Sequence, residues 1–204
     1  MNFDFFSTTE SFHDIDLPDT DCKLYPDFIN IHDADTYLQE LTQTVNWSQE
    51  TIAMYGKVLN VPRLSAWYGE PNLSYEYSGI KSLSQFWLPQ LQVIKNKIEL
   101  LTKHSFNSVL INLYRDGNDS VDWHSDDEPE LGLNPVIASV SFGEQRNFHL
   151  KNKFNKDIKK SILLPHGSLL LMSGTTQKNY QHKISKSKRQ MKPRINLTFR
   201  DIQN

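Results

Sequence analysis

Two rhythms of apolar positions divide the chain at about residue 106. Before that point, helical spacing occurs twice: Leu38 and Leu41 within Asp33 to Val45, behind aspartates suited to capping, and Leu91, Ile94, Ile98 and Leu101 within Ser84 to Lys103. Each stretch predicts a helix with one apolar face. Pro89 falls in the first turn of the second, where its missing N–H does no harm. After residue 106, short β-like runs follow one another over 107–114, 121–124, 136–142, 148–150, 161–164, 168–172, 180–184 and 194–200. Asp116-Gly117, Asn134-Pro135, His166-Gly167 and Ser173-Gly174 punctuate them, as turn chemistry requires. Helices first and eight short strands after predict a mostly β, α+β chain whose core is a jelly roll, with its helices on the N-terminal side.

The last run carries the clearest alternation. Arg194, Asn196, Thr198 and Arg200 share one face of a strand, while Ile195, Leu197 and Phe199 share the other. If the polar face looks into the barrel, two guanidiniums need anionic company, because an unpaired buried charge is costly. A small dicarboxylate could engage both through two-pronged hydrogen bonds. The competing reading is an exposed edge strand with solvated arginines.

Composition sharpens this picture. The 204 residues are 38% hydrophobic and carry a formal charge of -2, enough apolar material for one real core. No stretch approaches the roughly 18 consecutive apolar residues needed to cross a bilayer, and the first ten residues lack the basic-then-apolar pattern of an export signal. A soluble, intracellular, monomeric protein is the expectation: cytoplasmic in a bacterium, nuclear or nucleo-cytoplasmic in a eukaryote. The small net charge conceals a split. Residues 1–50 hold eleven acids against Lys23 alone, whereas Lys178 to Arg200 contains eight bases and no acid. Residues 1–22 accordingly read as an acidic arm and 23–204 as one domain. The basic runs read either as solvated loops or as a surface for a polyanion.

A single cysteine, Cys22, excludes an internal disulfide and a cysteine-rich metal site, so any metal must be held by histidine and carboxylate. His124-Ser125-Asp126 places an imidazole and a carboxylate two residues apart, on one face if the strand continues. With a third ligand from a distant strand, the set becomes two histidines and one carboxylate, which suits iron(II) and leaves coordination positions open. His182 is the favoured third ligand; His149 and His166 compete with it.

Ordered motifs now make a resemblance specific: Pro62-Arg63, Ala66 to Glu70, Tyr75 to Gly79, Asn112-Leu113-Tyr114, Asp122 to Pro129, Ile137 to Gly143, His166-Gly167 and Pro193 to Arg200. Over about residues 53–201 the chain resembles the AlkB family of iron(II) and 2-oxoglutarate dependent dioxygenases, in particular its nucleic-acid repair branch. The resemblance implies that His124, Asp126 and His182 hold Fe(II), with O2 as the second substrate. It implies that Asn112, Tyr114, Arg194, Asn196 and Arg200 receive 2-oxoglutarate. It further implies oxidative demethylation of bases such as 1-methyladenine and 3-methylcytosine in alkylated DNA, single- or double-stranded, with RNA as an open alternative. The segment Tyr75, Glu76 and Tyr77, the acids Asp127 and Glu128, and Tyr55 as an intercalating residue would then contact the lesion. Two other readings stand beside this one: the same iron chemistry acting on a protein or lipid, and a jelly-roll binding module without catalysis.

Overall fold

Why the two rhythms yield one core is visible in a computed structural model, which describes residues 11–54, 57–71, 73–77 and 80–203. The chain begins with β1 (His13–Asp14), β2 (Asp21–Tyr25) and α1 (Ile31–Thr44). A hairpin of β3 (Thr51–Met54) and β4 (Lys57–Asn60), the strand β5 (Leu64–Gly69), a second hairpin of β6 (Ser74–Tyr77) and β7 (Ile80–Leu83), and α2 (Pro89–Thr102) follow. Then come β8 (Ser108–Tyr114), β9 (Val121–His124), β10 (Ile137–Gly143) and β11 (Arg146–Asn152). The chain closes through β12 (Lys159–Leu164), β13 (Ser168–Ser173), the short α3 (Thr176–Asn179), β14 (Tyr180–Ile184) and β15 (Arg194–Arg200). Among the described residues, no helix is long and apolar enough to cross a membrane.

The strands form two main antiparallel sheets, a large one ordered β1-β2-β13-β10-β15-β8-β5 and a small one ordered β12-β11-β14-β9. This is the jelly roll that the spacing of the runs predicts. The helices cover the outer face of the large sheet: Ile94 and Ile98 of α2 and Leu41 of α1 are fully buried against Val109, Ile111, Val140, Leu197 and Phe199. A second apolar cluster fills the space between the sheets, with Leu170 and Met172 from one side and Phe148, Leu150 and Ile184 from the other. β15 is buried along its whole length for this reason. Its apolar face meets the helices and its polar face looks into the sandwich, so the edge-strand reading does not hold.

Local chemistry differs from expectation at two places. The cap of α1 is Asn30, not an aspartate: its Oδ1 accepts the N–H of Asp33 at 3.0 Å, and its Nδ2 donates to Asp33 Oδ2 at 2.7 Å. And β1 and β2, which fall in or straddle the stretch read as an acidic arm, belong to the large sheet, with β2 paired to β13. Charge counts obscure this because Cys22, Leu24 and Tyr25 bury while their acidic neighbours stay wet. Burial, with a contribution from Asp21, pushes the Cys22 thiol up to about 12, Lys160 opposing.

The helix layer gives a stability test. Ile94→Ala, at a fully buried position, is expected to cost about 2–5 kcal/mol in the unfolding free energy measured by urea titration. Val93→Ala, one residue away and 57% exposed, should stay within about 0.5 kcal/mol.

Candidate metal centre

Register brings the two histidines together. β14 pairs with β9 so that His182 faces His124, with a bulge between that pair and the next, Ile184 opposite Val121. The two imidazoles lie 4.2 Å apart between centroids, and the ring of Phe148 stacks on His182 at 5.0 Å. Asp126 completes a group in which one ligand atom from each residue lies within 4.8 Å of the others. Among the described residues this is the group of histidine and carboxylate able to hold a metal.

Strand alternation does not place Asp126, contrary to the simple reading of His-x-Asp. β9 ends at His124. Asp126 lies beyond it, pinned by the Gln177 side chain, whose Oε1 accepts the Asp126 N–H at 3.0 Å, and by Arg200, whose Nη2 donates to Asp126 Oδ1 at 2.7 Å. Ser125 between them donates to the Tyr180 carbonyl at 2.8 Å, which ties the turn to β14.

The protonation states suit metal binding. His124 Nδ1 lies 2.8 Å from the carbonyl oxygen of Asp122, which can only accept, so Nδ1 donates and Nε2 is the atom left on the side of Asp126, 3.9 Å away. Burial and the neighbouring His124 push His182 down to about 3 despite the opposing Asp126, so the ring is neutral with a lone pair to give. For Asp126, burial pulls upward, but Arg200, His182 and His124 outweigh it and hold the carboxyl below its ordinary value.

The other candidate ligands lie elsewhere. His149 sits on β11, paired with Lys183 of β14. His166 accepts the Gly143 N–H at 2.8 Å and lies 3.3 Å from Asp35, lining a cavity of about 660 Å³ under α1. That cavity, larger than the one at the triad, has none of the three metal-holding side chains in its wall.

Beside the triad is a small, polar cavity of about 40 Å³ between the sheets. It shares Arg63, Val121, His124 and Ile184 with a wider one of about 510 Å³. The polar face of β15 lines the small cavity. Arg194 donates through Nη2 to Ser141 Oγ at 2.9 Å, but its buried Nε and Nη1 have no hydrogen-bond partner. Burial brings its pKa down to about 10, Tyr114 opposing and Arg146 adding, so it stays charged at neutral pH. Two guanidiniums contact the Tyr114 ring, that of Arg194 at 5.2 Å and that of Arg146 at 5.8 Å from its centroid. Asn196 is held by the protein itself, donating to Ser139 Oγ and the Val140 carbonyl. Asn112 accepts from Arg63 Nε at 2.8 Å. A buried cation with two unmet donors next to a histidine-carboxylate triad fits a small anion that also binds the metal, and the residues therefore suit iron with a 2-oxo dicarboxylate.

Arg63 and Gln177 are the contributors that sequence reasoning leaves without a role. Arg63 stands in a quoted motif, whereas Gln177 lies on a four-residue helix with no periodic signal. Of the expected lesion contacts, Asp127 is tied to Lys153 at 2.8 Å, and Glu128 begins a single 3₁₀ turn with Oε2 buried and without a partner. Tyr75, Glu76 and Tyr77 have their backbone on β6, with side chains outside the description, and Tyr55 lies outside the described residues.

Residues 21–200 match the family model described as the 2OG-Fe(II) oxygenase superfamily. Human alpha-ketoglutarate-dependent dioxygenase alkB homolog 3 is 47% identical over 188 residues, covering 88% of this chain and 65% of that protein. Human DNA oxidative demethylase ALKBH2 is 38% identical over 180 residues, covering 83% of this chain and 69% of the relative. This chain thus spans just under two thirds of the length of the first of these relatives. Among solved structures, that of OsALKBH1 superposes with a TM-score of 0.66 at 15% identity over 88% of this chain and 97% of that one, a likeness of fold.

The depressed His182 pKa has a measurable sign. Its folded value lies below the ordinary 6.5, so the unfolded chain binds the extra proton and stability falls as pH drops from 6.5 toward 3. In metal-free protein this slope is expected to reach about 1.4 kcal/mol per pH unit and to be lost in His182→Gln. Urea titrations between about pH 6 and 4.5 check it, and equal slopes in the two proteins would refute a neutral buried His182.

Proposed function

This chain belongs to the AlkB family of the 2OG-Fe(II) oxygenase superfamily, and from that premise we propose that it oxidatively demethylates N-alkylated bases in DNA or RNA, as a monomer. The observation that carries the reading is the join between a His124-Asp126-His182 triad and a buried, half-satisfied Arg194 in one cavity. When bound, iron(II) and 2-oxoglutarate with O2 supply oxidation of an N-methyl C–H bond, the cosubstrate ending as succinate and CO2. The hydroxymethyl group so formed leaves as formaldehyde, the C–N electron pair staying on the base nitrogen and the hydroxyl proton passing to solvent.

The chain's own residues have separable tasks. His124 and His182 give nitrogen donors and Asp126 gives the charge. Arg200 fixes the angle of the Asp126 carboxylate and Gln177 holds its backbone N–H, neither of which the polypeptide alone fixes beyond the end of β9. Arg194 meets the far carboxylate of the cosubstrate, and Ser141 orients that guanidinium. Asn112 and Tyr114 line the space between, Asn112 braced by Arg63. Phe148, Leu110 and Met172 keep bulk water from the inner wall. The cavity of about 510 Å³ bordering His124 is of a size to hold a flipped base and its sugar.

Incubation with Fe(II), 2-oxoglutarate and air should remove one methyl mass from a 1-methyladenine or 3-methylcytosine oligonucleotide, read by mass spectrometry. DNA and RNA strands, single and paired, left untouched would sink the proposal. In the same assay Arg194→Ala should raise the apparent KM for 2-oxoglutarate by about ten- to a hundredfold, the worth of one charge-assisted contact. An unchanged KM would remove Arg194 from the cosubstrate site.

A further inference from the structure

The outer face of the small sheet carries a second feature, on the side away from the small cavity between the sheets. His149 and Lys183 are directly paired, as are Lys151 and Lys159, so these four side chains share one face, opposite to His182, Phe148 and Leu150. Trp123, beside His124 at the bulge of β9, adds its indole. Both Lys151 Nζ and Lys183 Nζ sit over that ring, at 4.1 Å and 4.6 Å from its centroid. Among the described residues of these four strands the only acid is Asp122, whose Oδ1 accepts the Trp123 N–H at 2.8 Å.

Two ammonium groups held over one ring repel each other, and the negative face of the indole offsets that repulsion while fixing where they stand. The result is a pre-positioned pair of positive charges with Lys159 behind it. Trp123 and Lys183 also line the cavity that borders His124, as does the exposed Lys186. The charged face and the mouth of the site are therefore continuous.

We propose that the strand flanking the substrate nucleotide crosses this outer face, its phosphates lying at Lys151 and Lys183, with Trp123 as the post that holds both. The occupant is a phosphodiester chain because the face offers unpaired donors of one sign at spaced positions, which a repeating anion satisfies and a single carboxylate does not. This extends the nucleic-acid reading above and rests on it.

Fluorescence anisotropy with unmethylated single-stranded DNA and RNA oligonucleotides, followed across a salt series, tests the path apart from catalysis. The double variant Lys151→Gln/Lys183→Gln should bind both about tenfold more weakly at low salt, and its slope of log affinity against log salt should be shallower by roughly 1.4, two phosphate contacts' worth. Lys95→Gln, on the helix layer of the opposite sheet, should change neither. Uncoupled 2-oxoglutarate turnover should be the same in the wild type and Lys95→Gln. If the wild type demethylates an oligonucleotide but the double variant keeps its affinity and slope, the path is overturned while the function stands. If the wild type binds through these lysines and demethylates nothing, the path stands and the function falls. If it binds no oligonucleotide at all, both fall.

Discussion

Positive charge inside an apolar sandwich is the constraint on which this structure depends. Arg194 and Arg200 project from one strand into the space between two sheets, where an uncompensated guanidinium would cost several kcal/mol. The protein resolves the two cases differently. Arg200 meets Asp126, a carboxylate placed where it could also hold a metal. Arg194 meets a serine hydroxyl and an aromatic face and keeps two donors unmet. One charge is offset within the fold and the other keeps donors that a small anion could meet, and any ligand that binds there only in the folded form would raise its stability by mass action.

How much of this is legible in sequence depends on whether a short-range rule governs the element. The alternation of Arg194 to Arg200 already separates the polar from the apolar face, because side-chain direction on a strand has period two and nothing interrupts it. Pro89 likewise marks the start of α2, since a residue without an N–H belongs at a helix start. The placement of His182 against His124 is set by the register of β14 on β9, a long-range fact that spacing alone leaves open among three histidines. Asp126 is instructive in the opposite way. The right residue is found by a rule that does not operate there, because the strand has ended and Gln177 and Arg200 do the positioning. Gln177 itself gives no pattern: a single side chain reaching back across 51 residues has no periodicity to betray it.

The hairpins β3–β4 and β6–β7 escape sequence reading because they are four-residue strands that lie outside the two main sheets, so no alternation imposed by a core marks them. The N-terminal stretch misleads for another reason. Its acids are numerous, but a strand needs only alternate positions to be apolar, and β2 supplies them at Cys22 and Leu24. Net charge is a poor guide here for the same reason. Acidic residues gather near the start of the chain and basic ones on the small sheet and the approach to β15, and the sum near zero describes neither surface.

Cys22 shows what that buried N-terminal strand brings with it. With its thiol pushed up to about 12 and its side chain buried in the apolar cluster between the sheets, roughly one molecule in 10⁵ carries the thiolate at neutral pH. The thiolate is the form that electrophiles attack. Agents that methylate base nitrogens thus find the single thiol of the chain masked on the protein proposed to undo their work.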